Sequence, residues 1–252
     1  MRYDRWERSR IPMADTLWVR NTIDGSLVEI PMGMHTLIAG RTGSGKSQLL
    51  RQLIRNTLPD VADGYARLYG IDLKGGVELA RWAPWMQTGT CLEYAIAVLE
   101  DLDEKREQRN RMLVEQGLDK VEVGRDVPLL VLVVDELAEL AGGVDKTTRA
   151  QQEHARALLD RILRLGRAAG ITVVAASQDP RKESIPLRDR FPNRITLALG
   201  SRDEAVIMMG EDAVRDGCAP HAIPATTPGV GYWHDRAHHR AVRFRCPYQP
   251  GL

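Results

Sequence analysis

Two periods of hydrophobic residues alternate along this chain. Leu129 to Val134 reads LLVLVV, an unbroken apolar run with no polar alternation. That is the pattern of a central parallel strand covered on both faces. "HTLIAG", "ARLYGIDL", "ITVVAAS" and "RITLAL" are runs of the same kind. Between them lie segments with helical spacing, at about Ser47 to Leu58, Leu92 to Gln116 and Thr147 to Ala169. The second carries Leu92, Ile96, Leu99 and Leu102 on one face, and the third ends at Gly170, a C-cap. Ser201 and Glu204 form a capping box that opens a further helix. "TLWVRNTIDGSLVEIP" places two alternating runs around Asp24-Gly25, a hairpin turn signal, and "GVGYWHD" with "RAVRFRC" reads as a closing hairpin. Strands alternating with helices predict an α/β fold: a mainly parallel central sheet flanked by helices, with β-hairpins at both ends of the chain.

Length and composition narrow this picture. The 252 residues, 43% of them hydrophobic, suffice for one sizeable core, so a single domain spanning 1–252 is expected, with 1–15 as a flexible arm. With 35 basic against 34 acidic residues there is no global basic footprint, and any nucleic-acid contact has to be local or arise from assembly of several copies. Cys91, Cys218 and Cys246 lack CxxC spacing, the usage of reduced thiols in a cytosolic protein. No apolar run is long enough for a membrane span, and the charged start "MRYDRWERSR" lacks the apolar centre of a secretory signal, so the expected location is cytoplasmic.

The chemistry begins at Gly40. Gly40, Arg41, Thr42, Gly43, Ser44, Gly45, Lys46 and Ser47 match GxxxxGK[ST] in full, with a strand before and a helix after. The glycines allow the backbone to wrap phosphates with its N–H groups at a helix N-terminus. In this P-loop Lys46 would reach the β- and γ-phosphates and Ser47 would ligate Mg²⁺. Asp135 and Glu136 end the most apolar strand, where such a site needs one carboxylate for Mg²⁺ and a base for the attacking water. The pair suits ATP hydrolysis better than phosphoryl transfer to a metabolite; a solvated helix start is the bland alternative. Gln178, past "ITVVAAS", stands at the sheet edge where open α/β folds bind ligands, either to sense the γ-phosphate or as a hydrogen-bonded loop amide. His234, His238 and His239 straddle a hairpin turn without a matched cysteine pair, which is weak grounds for a metal site. The run Arg106, Arg109 and Arg111 is interleaved with Glu104 and Glu107 and reads as a solvated helix face.

"HTLIAGRTGSGKS", "GIDLKGGVEL", "LLVLVVDELAEL", "GRAAGITVVAASQDP", "FPNRITLALGSRDEAV" and "GCAPHAIPATTPGVGYW", taken together, resemble the FtsK/SpoIIIE family of DNA-pumping ATPases, most closely its actinobacterial, conjugative-transfer-like members. The resemblance runs from Leu27 to Phe244. It implies a RecA-like motor domain that works as a ring, usually a hexamer, around double-stranded DNA, with ATP and Mg²⁺ bound between subunits. It also implies an arginine given in trans, Arg167 in "GRAAG" or, second, Arg194 in "PNRI". Gln178 would then sense the γ-phosphate. Pore loops contact DNA in this family, and Lys74 with Gly75 and Gly76 is the candidate here, a solvated turn being the alternative. Family translocases often carry a membrane region and a C-terminal winged helix. This chain shows neither, so a membrane or DNA-recruiting partner is expected from another chain. Two other readings remain open: a secretion-type ATPase moving protein, and a non-hydrolysing ATP-binding assembly protein.

Overall fold

The computed structural model describes residues 16–140, 146–179 and 187–248; the arm expected at 1–15 lies outside them. Among these residues, ten strands form one sheet: β1 (Thr16–Asn21), β2 (Leu27–Pro31), β3 (Thr36–Ala39), β4 (Ala66–Ile71), β5 (Met86–Gly89), β6 (Leu129–Val134), β7 (Ile171–Ser177), β8 (Asn193–Leu197), β9 (Val230–Asp235) and β10 (Arg240–Arg245). Their spatial order is β2-β1-β10-β9-β8-β3-β7-β6-β4-β5. The stretch from β8 to β5 is parallel throughout. The two hairpins predicted for opposite ends of the chain extend the same side of the sheet, because β1 pairs antiparallel with β10.

Among the described residues, five α-helices cover the sheet: α1 (Lys46–Ala62), α2 (Leu92–Gln116), α3 (Lys146–Leu165), α4 (Arg202–Met209) and α5 (Glu211–Arg215). Strand β6 explains its own sequence. Leu130, Leu132 and Val134 face α2 and α3, while Val131 and Val133 face α1 and the first hairpin. Both faces are covered, so both residue parities are apolar. The hairpin turn has Gly25 at φ 71, and Ser201 caps α4 by accepting from the Glu204 N–H at 3.1 Å while Glu204 accepts from the Gly200 N–H at 2.7 Å.

Three elements depart from the sequence pattern. Helix α1 continues past Pro59 to Ala62 instead of stopping at Leu58, since a proline in the last turn forfeits only one bond of a helix already packed on the sheet. Helix α3 ends at Leu165, four residues early, and a tight turn with Gly170 at φ 68 feeds β7. The solvated face expected on α2 is only partly solvated. Arg106 is 5% exposed and donates to Asp103 at 2.6 Å. Arg109 donates to the carbonyls of Ala169 at 2.7 Å and Pro128 at 2.7 Å, joining the starts of β6 and β7; Arg111 is exposed as expected. Interleaved charge does not distinguish an arginine in water from one bonded to carbonyls, and contacts distant in sequence decide between them.

Candidate active site

Strands β3, β7, β6 and β4 are parallel neighbours, so their C-terminal ends meet along one edge of the sheet. Four loops leave that edge: the P-loop after β3, Gln178 after β7, Asp135 and Glu136 after β6, and Asp72 to Gly76 after β4. Residues separated by up to 138 positions in the chain are thereby assembled by strand order alone.

The P-loop is anchored at both shoulders. The Gly40 N–H donates to the Ser177 carbonyl at 3.2 Å, and the Arg41 N–H to the Ala198 carbonyl at 3.0 Å. Gly43 (φ 76) and Gly45 (φ 102) take backbone conformations that side chains resist. A Cβ on Gly43 would point into open space, whereas one on Gly45 would lie 2.5 Å from the Gly229 nitrogen. Gly229 also donates its N–H to the Ser44 carbonyl at 2.8 Å. The segment before β9 thus buttresses the phosphate loop, a contact that local sequence reasoning missed. Pro228-Gly229 signals a turn but says nothing of what the turn touches.

Lys46 is buried and points its ammonium back at its own loop, donating to the carbonyls of Gly40 at 2.5 Å and Arg41 at 3.2 Å. Burial pulls it down to about 8, opposed by Glu136 and Asp135 and aided by the Lys74 charge. Asp135 extends the β6 ladder through its N–H to the Ile71 carbonyl at 3.0 Å. Burial, with Asp72, Glu78 and Glu136 close by, pushes its carboxyl up to about 6. A buried ammonium bonded to carbonyls and a carboxylate crowded by other acids are both relieved by one ligand, a phosphate chain carrying a divalent cation. Asp135 and the half-buried Ser47 would hold the cation, and Lys46 the phosphates.

Glu136 is 4% exposed. It accepts from the Gln178 N–H at 3.1 Å and from Lys74 Nζ at 3.0 Å. Gln178 in turn accepts through Oε1 from the Thr42 hydroxyl at 2.8 Å, which ties the end of β7 to the P-loop. Asp72, 1% exposed, accepts from the N–H groups of Lys74, Glu78 and Leu79 at 3.0–3.2 Å and so shapes the loop that aims Lys74 at Glu136. The P-loop, Asp135, Glu136 and Gln178 therefore share one edge, and Lys74, singled out by sequence as a loop for DNA, joins them there.

The two candidate trans arginines lie elsewhere. Arg167 is exposed in the turn before β7, at the opposite edge of the sheet. Arg194, at the start of β8, donates to the carbonyls of Phe191 at 3.2 Å and Met208 at 3.0 Å and pairs with Asp189 at 3.3 Å. Neither reaches the P-loop of its own chain, and Arg167 is the more available to a neighbour. Of the C-terminal histidines, His234 faces Asp216 at 2.7 Å and His238 faces Asp235 at 2.8 Å.

A parallel sheet whose C-terminal edge carries a P-loop opposite a strand-ending acid pair defines a P-loop NTPase. The chain belongs to the FtsK/SpoIIIE family, whose model matches residues 2–215. It is 30% identical over 228 residues to the protein Tra of Streptomyces lividans, covering 84% of this chain and 35% of that protein. It is 29% identical over 211 residues to the DNA translocase FtsK of Staphylococcus aureus, covering 75% of this chain and 26% of that one. The chain thus spans about a third or less of these relatives. Among solved structures, the conjugation coupling protein TcpA of pCW3, in its monomer form with ATPγS, matches with a TM-score of 0.78 at 27% identity, covering 93% of this chain and 66% of that one. Among the described residues, no helix is long and apolar enough to cross a membrane.

Proposed function

We propose that this chain is an ATP-hydrolysing motor that moves double-stranded DNA and works as a ring, most simply a hexamer. Lys46 and the loop from Gly40 to Ser47 hold the triphosphate, Ser47 and Asp135 hold Mg²⁺, Glu136 activates water, and Gln178 responds to the γ-phosphate. Arg167 enters the site of the adjacent copy, where a trans arginine is worth about 10³–10⁵ in rate. The observation that carries this reading is the placement of Glu136, buried on the edge that holds the P-loop and bonded to the Gln178 N–H at 3.1 Å. A carboxylate fixed there is built for water activation, whereas a switch or an assembly protein has no need of it. The Tra and FtsK relatives and the TcpA likeness support DNA as the cargo.

The test is ATP turnover with and without linear duplex DNA at low salt, where phosphate contacts are strongest, together with the particle mass under ATP. Duplex DNA is expected to raise turnover, Glu136→Gln to retain ATP binding while losing turnover, and Lys46→Ala to lose binding itself. Turnover indifferent to DNA, or equal in Glu136→Gln and the parent protein, would overturn the proposal.

A further inference from the structure

Among the described residues, three donors converge on the Glu136 carboxylate. One carboxylate oxygen accepts from Lys74 Nζ at 3.0 Å and the Gln178 N–H at 3.1 Å. The other shares that same Gln178 N–H at 3.3 Å and accepts from the Ala138 N–H at 3.4 Å. A carboxylate offers about four lone-pair positions in all, two to each oxygen, so the oxygen bonded to Lys74 and Gln178 must release a partner before it can take a proton from water. Gln178 and Ala138 donate through backbone that belongs to the fold. Among the described residues, Lys74 alone donates to it through a flexible side chain, 34% exposed against 3% for Glu136. It stands on a rim with Gly75 at φ 86 and Gly76 at φ 75, beside Val77, which is 70% exposed. Asp72 fixes the backbone of this loop through three N–H groups and makes no bond to the lysine side chain in those contacts.

We propose that Lys74 is a positioning residue that restrains Glu136, and that a phosphate oxyanion competing for its ammonium frees the carboxylate to activate water. An ammonium with three donors and a flexible stem exchanges a carboxylate for a phosphate readily. The phosphate has two possible sources, the γ-phosphate of the bound nucleotide or the backbone of duplex DNA reaching the exposed rim. The proposal rests on Glu136 as the base of the motor described above and adds the element that holds it back.

The experiment measures kcat and KM for ATP in the parent, Lys74→Gln and Lys74→Arg, each with and without duplex DNA. Thermal melts accompany the rates, and Lys74→Gln keeps a donor near the buried carboxylate so that the fold is retained. Lys74→Gln is expected to raise DNA-free kcat several-fold, and Lys74→Arg to restore restraint. If DNA is the competing phosphate, the stimulation ratio of Lys74→Gln falls toward one with KM unchanged; if the γ-phosphate competes, the ratio persists and KM rises. A Lys74→Gln protein that melts like the parent and matches its kcat, KM and stimulation ratio overturns the inference while leaving the motor intact. A lowered DNA-free kcat, or a Lys74→Arg protein that behaves like Lys74→Gln, overturns it as well. A parent without turnover removes the motor reading first, and the inference with it.

Discussion

Acid should loosen this protein through His35. The residue is 4% exposed at the start of β3, and its Nδ1 accepts from the Val173 N–H at 3.0 Å, which leaves the proton on Nε2 and the ring neutral. Burial, reinforced by the charge of Arg167, pulls it from 6.5 down to about 4, with the Leu163 carbonyl opposing. The unfolded chain binds a proton at His35 near pH 6.5, whereas the folded chain resists it until about pH 4. Stability is therefore complete above pH 6.5 and declines as the pH falls through that window. About 2.5 units at 1.36 kcal/mol each amounts to roughly 3 kcal/mol. It corresponds to ~6–12 °C in Tm for a chain of this size.

The perturbation is His35→Asn, which keeps an acceptor near the Nδ1 position and cannot titrate. Denaturant unfolding of parent and variant between pH 7.5 and pH 4 isolates the contribution of His35, because the other titrating groups are common to both. At pH 7.5 the variant should be the weaker, having lost the packing of the ring. The gap should close by roughly 3 kcal/mol as the pH falls to 4. A gap that stays constant across the window would refute the reasoning. Arg167→Ala should shallow the decline of the parent, since it removes one of the two causes.

Two more outcomes follow from the site. Gly45→Ala, with φ 102 and a Cβ 2.5 Å from the Gly229 nitrogen, should separate the P-loop from the segment before β9 and abolish nucleotide binding, read by a fluorescent ATP analogue; binding within twofold of the parent would contradict the contact. Mixing Arg167→Ala with Lys46→Ala, each inactive alone, should restore part of the turnover if sites are shared between copies, because some interfaces then pair an intact Lys46 with an intact Arg167. Lack of rescue in mixed rings of unchanged mass would exclude the trans role.

Most of the elements could be read from local pattern, and the physical reason is covering. Strand β6 is apolar at every position because helices pack on both its faces, and α2 keeps its expected bounds of Leu92–Gln116 because its apolar stripe and Gly117 at φ 65 are local features. Strand β5 was missed, since "MQTG" carries no alternation and exists only by pairing with β4. The P-loop and the acid pair were also legible, because each couples its residue types to a strand end. The contacts of Lys74, Gly229 and Arg109 were not. Lys74 meets Glu136 across 62 positions and Gly229 meets Ser44 across 185, and strand order brings each pair together. A chemical motif lies in consecutive residues and survives as text, whereas a restraint on that motif depends on which loops share an edge. That was settled only when β4 took its place beside β6.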